Sequence, residues 1–275
     1  MTKKTTTFIL LFLLVLGTTI IAGSAAAEED VVAYTLTLLH NNDGESQVVD
    51  AGGDITDFGG AARFKTVVDN LRGAVTPSAT EGVIMVSSGD NFLAGPEFNA
   101  AVQNGVPFYD TIAMELIGYD AVALGNHDFD FGPDILADFL DGYTTVPPYV
   151  SANLDFTGEP RLQAYVVSGD IDGATTITQS GVKIGVIGLE TPNLPFVSSP
   201  RNVVVDDDLV TILQAEIDAL ELAGVDKIIL ASHLQNIQNE IDLVGEVDGL
   251  DIVVAGGGDE LLANPGDLLI PGDET

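Results

Sequence analysis

Short apolar runs alternate with segments of helical period along most of the chain. The runs predict buried strands, because β-branched and other apolar side chains favour extended backbone in a sheet. They cover residues 34–39, 83–86, 121–124, 149–154, 183–187, 227–231 and 252–255. Strands that alternate with helices are typical of an α/β fold rather than of an all-β sandwich.

Two segments between these runs carry apolar residues at the spacing of one helical face, residues 61–71 and 209–220. Asp206 is the predicted N-cap of the second helix, and Gly224 is its predicted end. The stretch 161–188 differs, because short alternating segments are separated by glycines. This pattern predicts a hairpin or an antiparallel sheet edge.

The N-terminal segment is unlike the rest of the chain. Lys3 and Lys4 precede an apolar run over 8–21, and three alanines at 25–27 then precede an acidic stretch. We expect residues 1–27 to be a signal peptide and the mature protein to be secreted or periplasmic. An uncleaved anchor is the alternative, but the run is short for a membrane span. No later segment is long and apolar enough, so we expect no stable span after cleavage.

Composition and charge exclude several classes of partner and chemistry. The chain has 42 acidic and 9 basic residues, a formal net charge of −33, which argues against a nucleic-acid polymer as partner. Its hydrophobic content of 46% is too high for a disordered acidic tail. With no cysteine, it has neither disulfides nor thiolate metal ligands.

Polar side chains gather directly after five of the predicted strands. The candidate functional residues among them are Asp43, Glu45, Asp90, Asn126, His127, Asp130, His233 and Asp259. Ligands bind at the carboxyl ends of strands in open α/β sheets, so we expect these loops to converge on one site. Three histidines are present; we expect His127 and His233 to be functional, whereas bracing of the first loop is the favoured role for His40.

This donor set suits divalent metal ions, because carboxylates and amide carbonyls are hard ligands and imidazole is also a common metal ligand. Two ions bridged by one carboxylate can bind a phosphate and activate a water for in-line displacement. A histidine outside the ligand set can then protonate the leaving oxygen. No nucleophile elbow or phosphate-binding glycine loop suggests a rival mechanism.

In order and spacing, the polar motifs resemble those of the calcineurin-like metallophosphoesterases. They read LLHNND at 38–43, SGD at 88–90, GNHDFDFG at 125–132, SANL at 151–154 and SHL at 232–234. The similarity is greatest to the secreted bacterial 5′-nucleotidase and 2′,3′-cyclic phosphodiesterase branch. It implies a four-layer αββα sandwich with two mixed β-sheets over residues 31–275. It also implies hydrolysis of small phosphate esters, with nucleotides the favoured class, by metal-activated water.

The resemblance also implies a role for each matched residue. The implied metal ligands are Asp43 for the first ion, Asn126 and His233 for the second, and Asp90 as the bridge between the two. His127 is implied to be the acid or transition-state donor. Asp130, three residues later, would orient the imidazole and favour its charged form.

Two departures from the family pattern fall among the ligands. The first motif normally ends in Asp-x-His, but Glu45 follows Asp43 here. The last is normally Gly-His-x-His, and an ungapped alignment places Gly257 and Asp259 at the histidine positions; a shift of one residue would offer Glu260 instead. Carboxylate in place of imidazole favours Mg²⁺, Mn²⁺ or Ca²⁺ over Zn²⁺. We therefore expect two hard divalent ions, the second held weakly.

The chain stops shortly after Asp259, whereas members of this branch usually continue into a separate nucleotidase domain. The expectation is a phosphoesterase domain without that second domain, and incompleteness of the first at its C-terminus is left open. A catalytically impaired or truncated family member, acting as a secreted divalent-cation-binding module, is the alternative function. Base preference, monoester against diester specificity and oligomeric state are also left open.

Overall fold

The computed structural model describes residues 32–50, 58–93 and 95–258. The strands are β1 (Thr35–Asn41), β2 (Glu81–Ser87), β3 (Ala121–Ala123), β4 (Tyr149–Val150), β5 (Leu154–Asp155), β6 (Ile171–Asp172), β7 (Ala174–Gln179), β8 (Val182–Glu190), β9 (Val204–Val205), β10 (Ile228–His233) and β11 (Ile252–Gly256). The helices are α1 (Ala61–Gly73), α2 (Pro96–Asn104), α3 (Tyr109–Ile117), α4 (Pro133–Asp141), α5 (Pro160–Ser168), α6 (Leu194–Val197), α7 (Leu209–Leu222) and α8 (Ile237–Val244), and a 3₁₀ turn covers Asn126–Phe129. The predicted signal peptide at 1–27 lies outside the described residues.

Two sheets account for most of the strands. In the larger sheet the order is β1-β2-β3-β4-β6, and every neighbouring pair is parallel. In the smaller sheet the order is β11-β10-β8-β7, with β7 antiparallel to β8 and the other pairs parallel. The predicted α/β fold is confirmed. In detail, the smaller sheet is mixed, whereas the described strands of the larger sheet all run parallel.

Aliphatic side chains fill the space between the two sheets. Ile84 and Val86 of β2 form one buried cluster with Ile184 and Val186 of β8 and with Ile229 of β10. Because helices cover the other face of each sheet, these strands have apolar residues on both faces and appear as continuous apolar runs in the sequence.

Helices cover the outer faces of both sheets. Beside the larger sheet, Phe92 stacks on Phe98 of α2 and on Phe139 of α4, with ring centroids 4.5 Å apart in each pair. Beside the smaller sheet, Leu213 and Ile217 of α7 are fully buried against β8 and β10. The layers are therefore α, β, β and α, as predicted. Within the described residues, no helix has the length and apolar character needed to cross a membrane.

Residues 161–188 differ in part from their prediction. The hairpin is present as β7 and β8, but the first part of the stretch is helix α5. Pro160 begins this helix, where its missing N–H costs nothing, and Gly169 ends it in a left-handed conformation. The buried Leu162 lies on its core face. These end signals outweigh the short alternating pattern.

The start of α7 also differs. Asp208, not Asp206, is the N-cap, and its carboxylate accepts a hydrogen bond from the backbone N–H of Thr211 at 3.3 Å. The carboxylate of Asp206 accepts from the N–H of Asp208 instead, at 3.0 Å. Residues 206–208 are three consecutive aspartates, so residue type alone does not locate the cap, and the backbone angles decide it.

The run 149–154 divides where the chain after β4 contacts β8 of the other sheet, through a hydrogen bond from the Ala152 N–H to the Gly188 carbonyl at 2.8 Å. Its first part is β4 and its last part opens β5, which pairs with β9 outside both large sheets. Between them, the Asn153 side-chain amide donates to the carbonyl of Glu190 at 2.8 Å and accepts from the Glu190 N–H at 2.9 Å. This side chain fixes the end of β8 against the loop that follows β4.

Gly188 is required at this contact. A Cβ atom on it would lie 2.1 Å from the carbonyl oxygen of Val150. We expect Gly188→Ala to lower the free energy of unfolding by about 1–3 kcal/mol, because the two backbones would have to separate. Gly73→Ala is the matched control, since a methyl group there would face open space. Urea unfolding of both variants tests this, and equal stabilities would contradict the close packing.

Candidate metal centre

Loops that follow strands of both sheets meet at one end of the sandwich. These are the loops that follow β1, β2 and β10, together with the 3₁₀ turn that follows β3. Backbone hydrogen bonds connect the first loop to the second. The Asp43 N–H donates to the carbonyl oxygen of Gly89 at 3.1 Å, and the Glu45 N–H donates to the backbone carbonyl oxygen of Asp90 at 3.0 Å. These loops therefore converge at the carboxyl ends of the strands, as predicted.

Three acidic residues in these loops have left-handed backbone angles. The φ angle is 51° at Asp43, 45° at Glu45 and 53° at Asp90. A residue with a side chain held in this region costs about 1–3 kcal/mol, and such residues concentrate at functional sites. The three carboxylates are thus held by backbone geometry that the surrounding hydrogen bonds maintain.

The carboxylate of Asp90 is the centre of the cluster, and the residue is only 1% exposed. Its Oδ1 accepts a hydrogen bond from the backbone N–H of His127 at 2.8 Å, and its Oδ2 lies 2.9 Å from Nε2 of His233. A buried carboxylate needs a nearby positive charge, either a proton or a cation, to balance its desolvation.

His233 is fully buried at the end of β10 and faces that carboxylate. Its Nδ1 lies 2.7 Å from the carbonyl oxygen of Ser88, which leaves Nε2 directed at Asp90 and at Oδ1 of Asn126, 3.1 Å away. Burial disfavours the imidazolium, but the hydrogen bond to Asp90 and the charges of Asp90 and Glu190 outweigh it and raise the pKa of His233 to about 10. The surroundings of Nε2 therefore favour a positive charge there, which a proton or a bound cation can supply.

Two groups of metal-ligating atoms share Asp90. Within the described part of the chain, ligand atoms of Asp43, Asp90 and His233 lie within 4.8 Å of one another, and so do those of Glu45, Asp90 and His127. Asn126 joins the first group through its contact with His233. Five of the predicted ligands therefore come together, whereas Asp259 and Glu260 fall outside the described residues.

The spacing of these atoms fits a divalent ion. Ligands 2.1 Å from an octahedrally coordinated ion lie about 3.0 Å from one another. The distances from His233 Nε2 to Asp90 Oδ2 and to Asn126 Oδ1, 2.9 and 3.1 Å, match that value. His233 also directs its other ring nitrogen to a backbone carbonyl, as metal-bound histidines usually do.

His127 is the more exposed of the two site histidines, with 30% of its side chain accessible. Its Nδ1 lies 2.7 Å from Oδ2 of Asp130, and the Asp130 Oδ1 accepts a hydrogen bond from the Ser198 hydroxyl at 2.9 Å. The hydrogen bond to Asp130 outweighs partial burial and raises the pKa of His127 to about 9. The predicted pairing of His127 with Asp130 is present, and a ring nitrogen of His127 lies within 4.8 Å of carboxylate oxygens of Asp90 and Glu45. His40, by contrast, is exposed on β1 and belongs to neither group.

Three site residues had no assigned role in the sequence analysis. Asp128 is buried, accepts a hydrogen bond from Gly125 at 2.8 Å, and has its pKa raised by burial to about 8. Glu190 is fully buried beside His233, and neither carboxylate oxygen has a hydrogen-bond partner among the described residues. Gln235 donates to Asn126 Oδ1 at 2.5 Å. Their only sequence signal is position, since each lies within two residues of a strand end or of a candidate ligand.

Gly257 leaves one position without a side chain. Its backbone N–H donates to Asp43 Oδ2 at 3.2 Å, so the loop after β11 closes over the site through the main chain. In the ungapped alignment with the family pattern, this position corresponds to a histidine.

The chain is similar to several characterised proteins. It is 31% identical over 229 residues to a 5′-nucleotidase from Diplobatis ommata, covering 81% of this chain and 37% of that protein. It is 29% identical over 248 residues to the trifunctional nucleotide phosphoesterase YfkN of Bacillus subtilis, covering 81% of this chain and 16% of that protein. No family model matches the chain.

A solved structure gives the same result for the fold. The 5′-nucleotidase precursor from Thermus thermophilus superposes with a TM-score of 0.69 at 30% identity, covering 81% of this chain and 41% of that one. The chain thus spans less than half the length of each of these three relatives.

We expect the imidazole of His127 in the metal-free protein to titrate near pH 9, and Asp130→Asn to lower its pKa toward the ordinary value of about 6.5. Because the folded pKa is the higher one, the pair contributes its full stabilisation below about pH 6.5 and loses it as pH rises through 9. NMR titration of the ring protons measures both variants. Asp134→Asn, an exposed acid four residues on, is the control. An unchanged pKa in Asp130→Asn would contradict the pairing.

Proposed function

Because this chain belongs to the calcineurin-like phosphoesterases of the 5′-nucleotidase branch, we propose that it is a metal-dependent hydrolase of small phosphate esters, with nucleotides as its substrates. The observation that carries this proposal is the position of Asp90. Its carboxylate is shared by two groups of ligand atoms, and the backbone N–H of His127 donates to it.

Two divalent cations would stabilise the charge of the phosphoryl group and lower the pKa of an attacking water. The residues that would hold them are Asp43, Glu45, Asp90, Asn126 and His233, with Asp259 as a further proposed ligand. The protein's own contribution is to fix these donors before substrate arrives. The left-handed backbone at the three acids and the hydrogen bond from His233 to Ser88 both restrict their orientation.

His127 is the proposed proton donor to the leaving oxygen. In the metal-free protein the pKa of about 9 means that the hydrogen bond to Asp130 favours the protonated imidazole. In that form the ring can stabilise negative charge and then release a proton. Nδ1 is hydrogen-bonded to the Asp130 carboxylate, which leaves Nε2 as the proton donor. The Ser198 hydroxyl in turn donates a hydrogen bond to Asp130. This chain of hydrogen bonds fixes the ring without contacting the reacting atoms.

The ligand types favour Mg²⁺, Mn²⁺ or Ca²⁺ over Zn²⁺. Carboxylate and amide oxygens predominate in the proposed set, and Glu45 stands where the family pattern has a histidine. Cations also reconcile a phosphate substrate with a chain of net charge −33. Export through the N-terminal segment remains part of the proposal.

Hydrolysis of AMP and of p-nitrophenyl phosphate with Mn²⁺ tests the function. We expect Asp90→Asn and His127→Ala to lower kcat for AMP by about 10²–10⁴-fold. The His127→Ala deficit should be smaller for p-nitrophenyl phosphate, because nitrophenolate leaves without a proton. His40→Ala and Asp69→Asn, on exposed surface, are the controls and should retain full activity. Activity unaffected by both site substitutions would contradict the assignment.

Metal retention tests the preference for hard ions. After loading and dialysis, we expect the wild-type chain to retain less than two Zn²⁺ per molecule. Glu45→His should increase zinc retention, because it restores an imidazole ligand. Elemental analysis of both proteins measures this, and two tightly held Zn²⁺ in the wild type would contradict the preference.

A further inference from the structure

Gly257 marks a place where other side chains already occupy the space a ligand would need. Its φ angle is 79°, and a Cβ atom there would lie 2.6 Å from Nε2 of His233 and 2.7 Å from Nε2 of Gln235. A side chain at this position would have to displace both groups. The absence of a side chain at 257 and the presence of Gln235 are thus two parts of one arrangement.

Gln235 is held in that space by an unusual backbone. Its φ angle is 71°, in the left-handed region that a residue with a side chain rarely adopts. The chain turns there because Asn236 caps the N-terminus of α8. Its side chain accepts a hydrogen bond from the Gln238 N–H at 2.9 Å, and the Glu240 carboxylate accepts from the Leu234 N–H at 3.3 Å. The turn directs the half-buried Gln235 amide toward the metal centre.

The amide of Gln235 reaches the same oxygen as His233. Its Nε2 donates to Asn126 Oδ1 at 2.5 Å, and that oxygen is 3.1 Å from His233 Nε2. A half-turn of the terminal amide exchanges its nitrogen and oxygen, and this torsion has a broad two-fold preference. A cation bound by Asn126 and His233 would then face Oε1 of Gln235, which is a suitable ligand for Mg²⁺, Mn²⁺ or Ca²⁺.

We propose that Gln235 is a ligand of the cation held by Asn126 and His233, taking the place of the side chain that position 257 lacks. The inference rests on the metal centre of the proposed function. It assigns the second ion a set of Asp90, Asn126, His233 and Gln235, three of which are oxygen donors. An amide oxygen in place of an imidazole would further favour Mg²⁺, Mn²⁺ or Ca²⁺ over Zn²⁺ at this site.

Binding of Mn²⁺ to the metal-free full chain tests the proposal, followed by electron paramagnetic resonance of the free ion and by calorimetry. The wild type should bind two Mn²⁺. We expect Gln235→Ala to weaken one of the two by about tenfold or more and to leave the other unchanged. Gln238→Ala is the matched control, because that exposed glutamine lies on α8 and pairs with Asp242. Identical binding in Gln235→Ala and wild type would overturn the proposal, as would a wild type that binds only one ion.

A second variant guards against loss of folding. Gln235→Glu keeps an oxygen donor at the same reach, so it should bind the second Mn²⁺ at least as tightly as wild type. Weaker binding by this variant, with an unchanged circular dichroism spectrum, would also overturn the proposal. The two proposals fail separately: a wild type that binds two Mn²⁺ in a Gln235-dependent way but hydrolyses no ester would refute the activity alone.

Discussion

The buried negative charge of Asp90 is the constraint on which the rest of the site depends. An isolated carboxylate in a protein interior is costly, and here two further acids, Asp128 and Glu190, are buried close by. Burial raises the pKa of both neighbours, and the charge of Asp90 raises each further. Among the described residues, His233 opposes them from within the core. Divalent cations bound at the proposed site would supply the missing positive charge, so metal binding and the stability of this region should be coupled.

The two-sheet architecture is what allows such a cluster to be buried. Loops that follow strands of both sheets meet at one end of the sandwich. The Asn153 contact with Glu190 links the end of β8 to the loop that follows β4 of the other sheet. Loops from the two sheets therefore reach one carboxylate, through the His127 N–H and through His233. Backbone groups contribute much of the positioning: the His127 N–H, the Gly257 N–H and the Ser88 carbonyl each donate to a ligand or accept from one.

The sequence predicted most of this arrangement, for physical reasons that also explain the omissions. Continuous apolar runs located the main strands, and polar residues at their ends located Asp43, Asp90 and His233. Short strands and helix caps are harder to predict from a sequence, because the division of 149–154 and the choice of Asp208 over Asp206 depend on tertiary contacts. Gln235 was missed because a glutamine beside a ligand has no spacing signal of its own. Its proposed role emerges only from the empty position at Gly257, more than twenty residues away.

The most direct test of a two-cation site built around Asp90 is a crystal structure of this chain grown with Mn²⁺, with diffraction measured at a wavelength where manganese scatters anomalously. We expect two anomalous peaks, one on each side of the Asp90 carboxylate, with the amide of Gln235 turned so that Oε1 faces the peak beside His233. A single peak, or ions that do not contact Asp90, would contradict it.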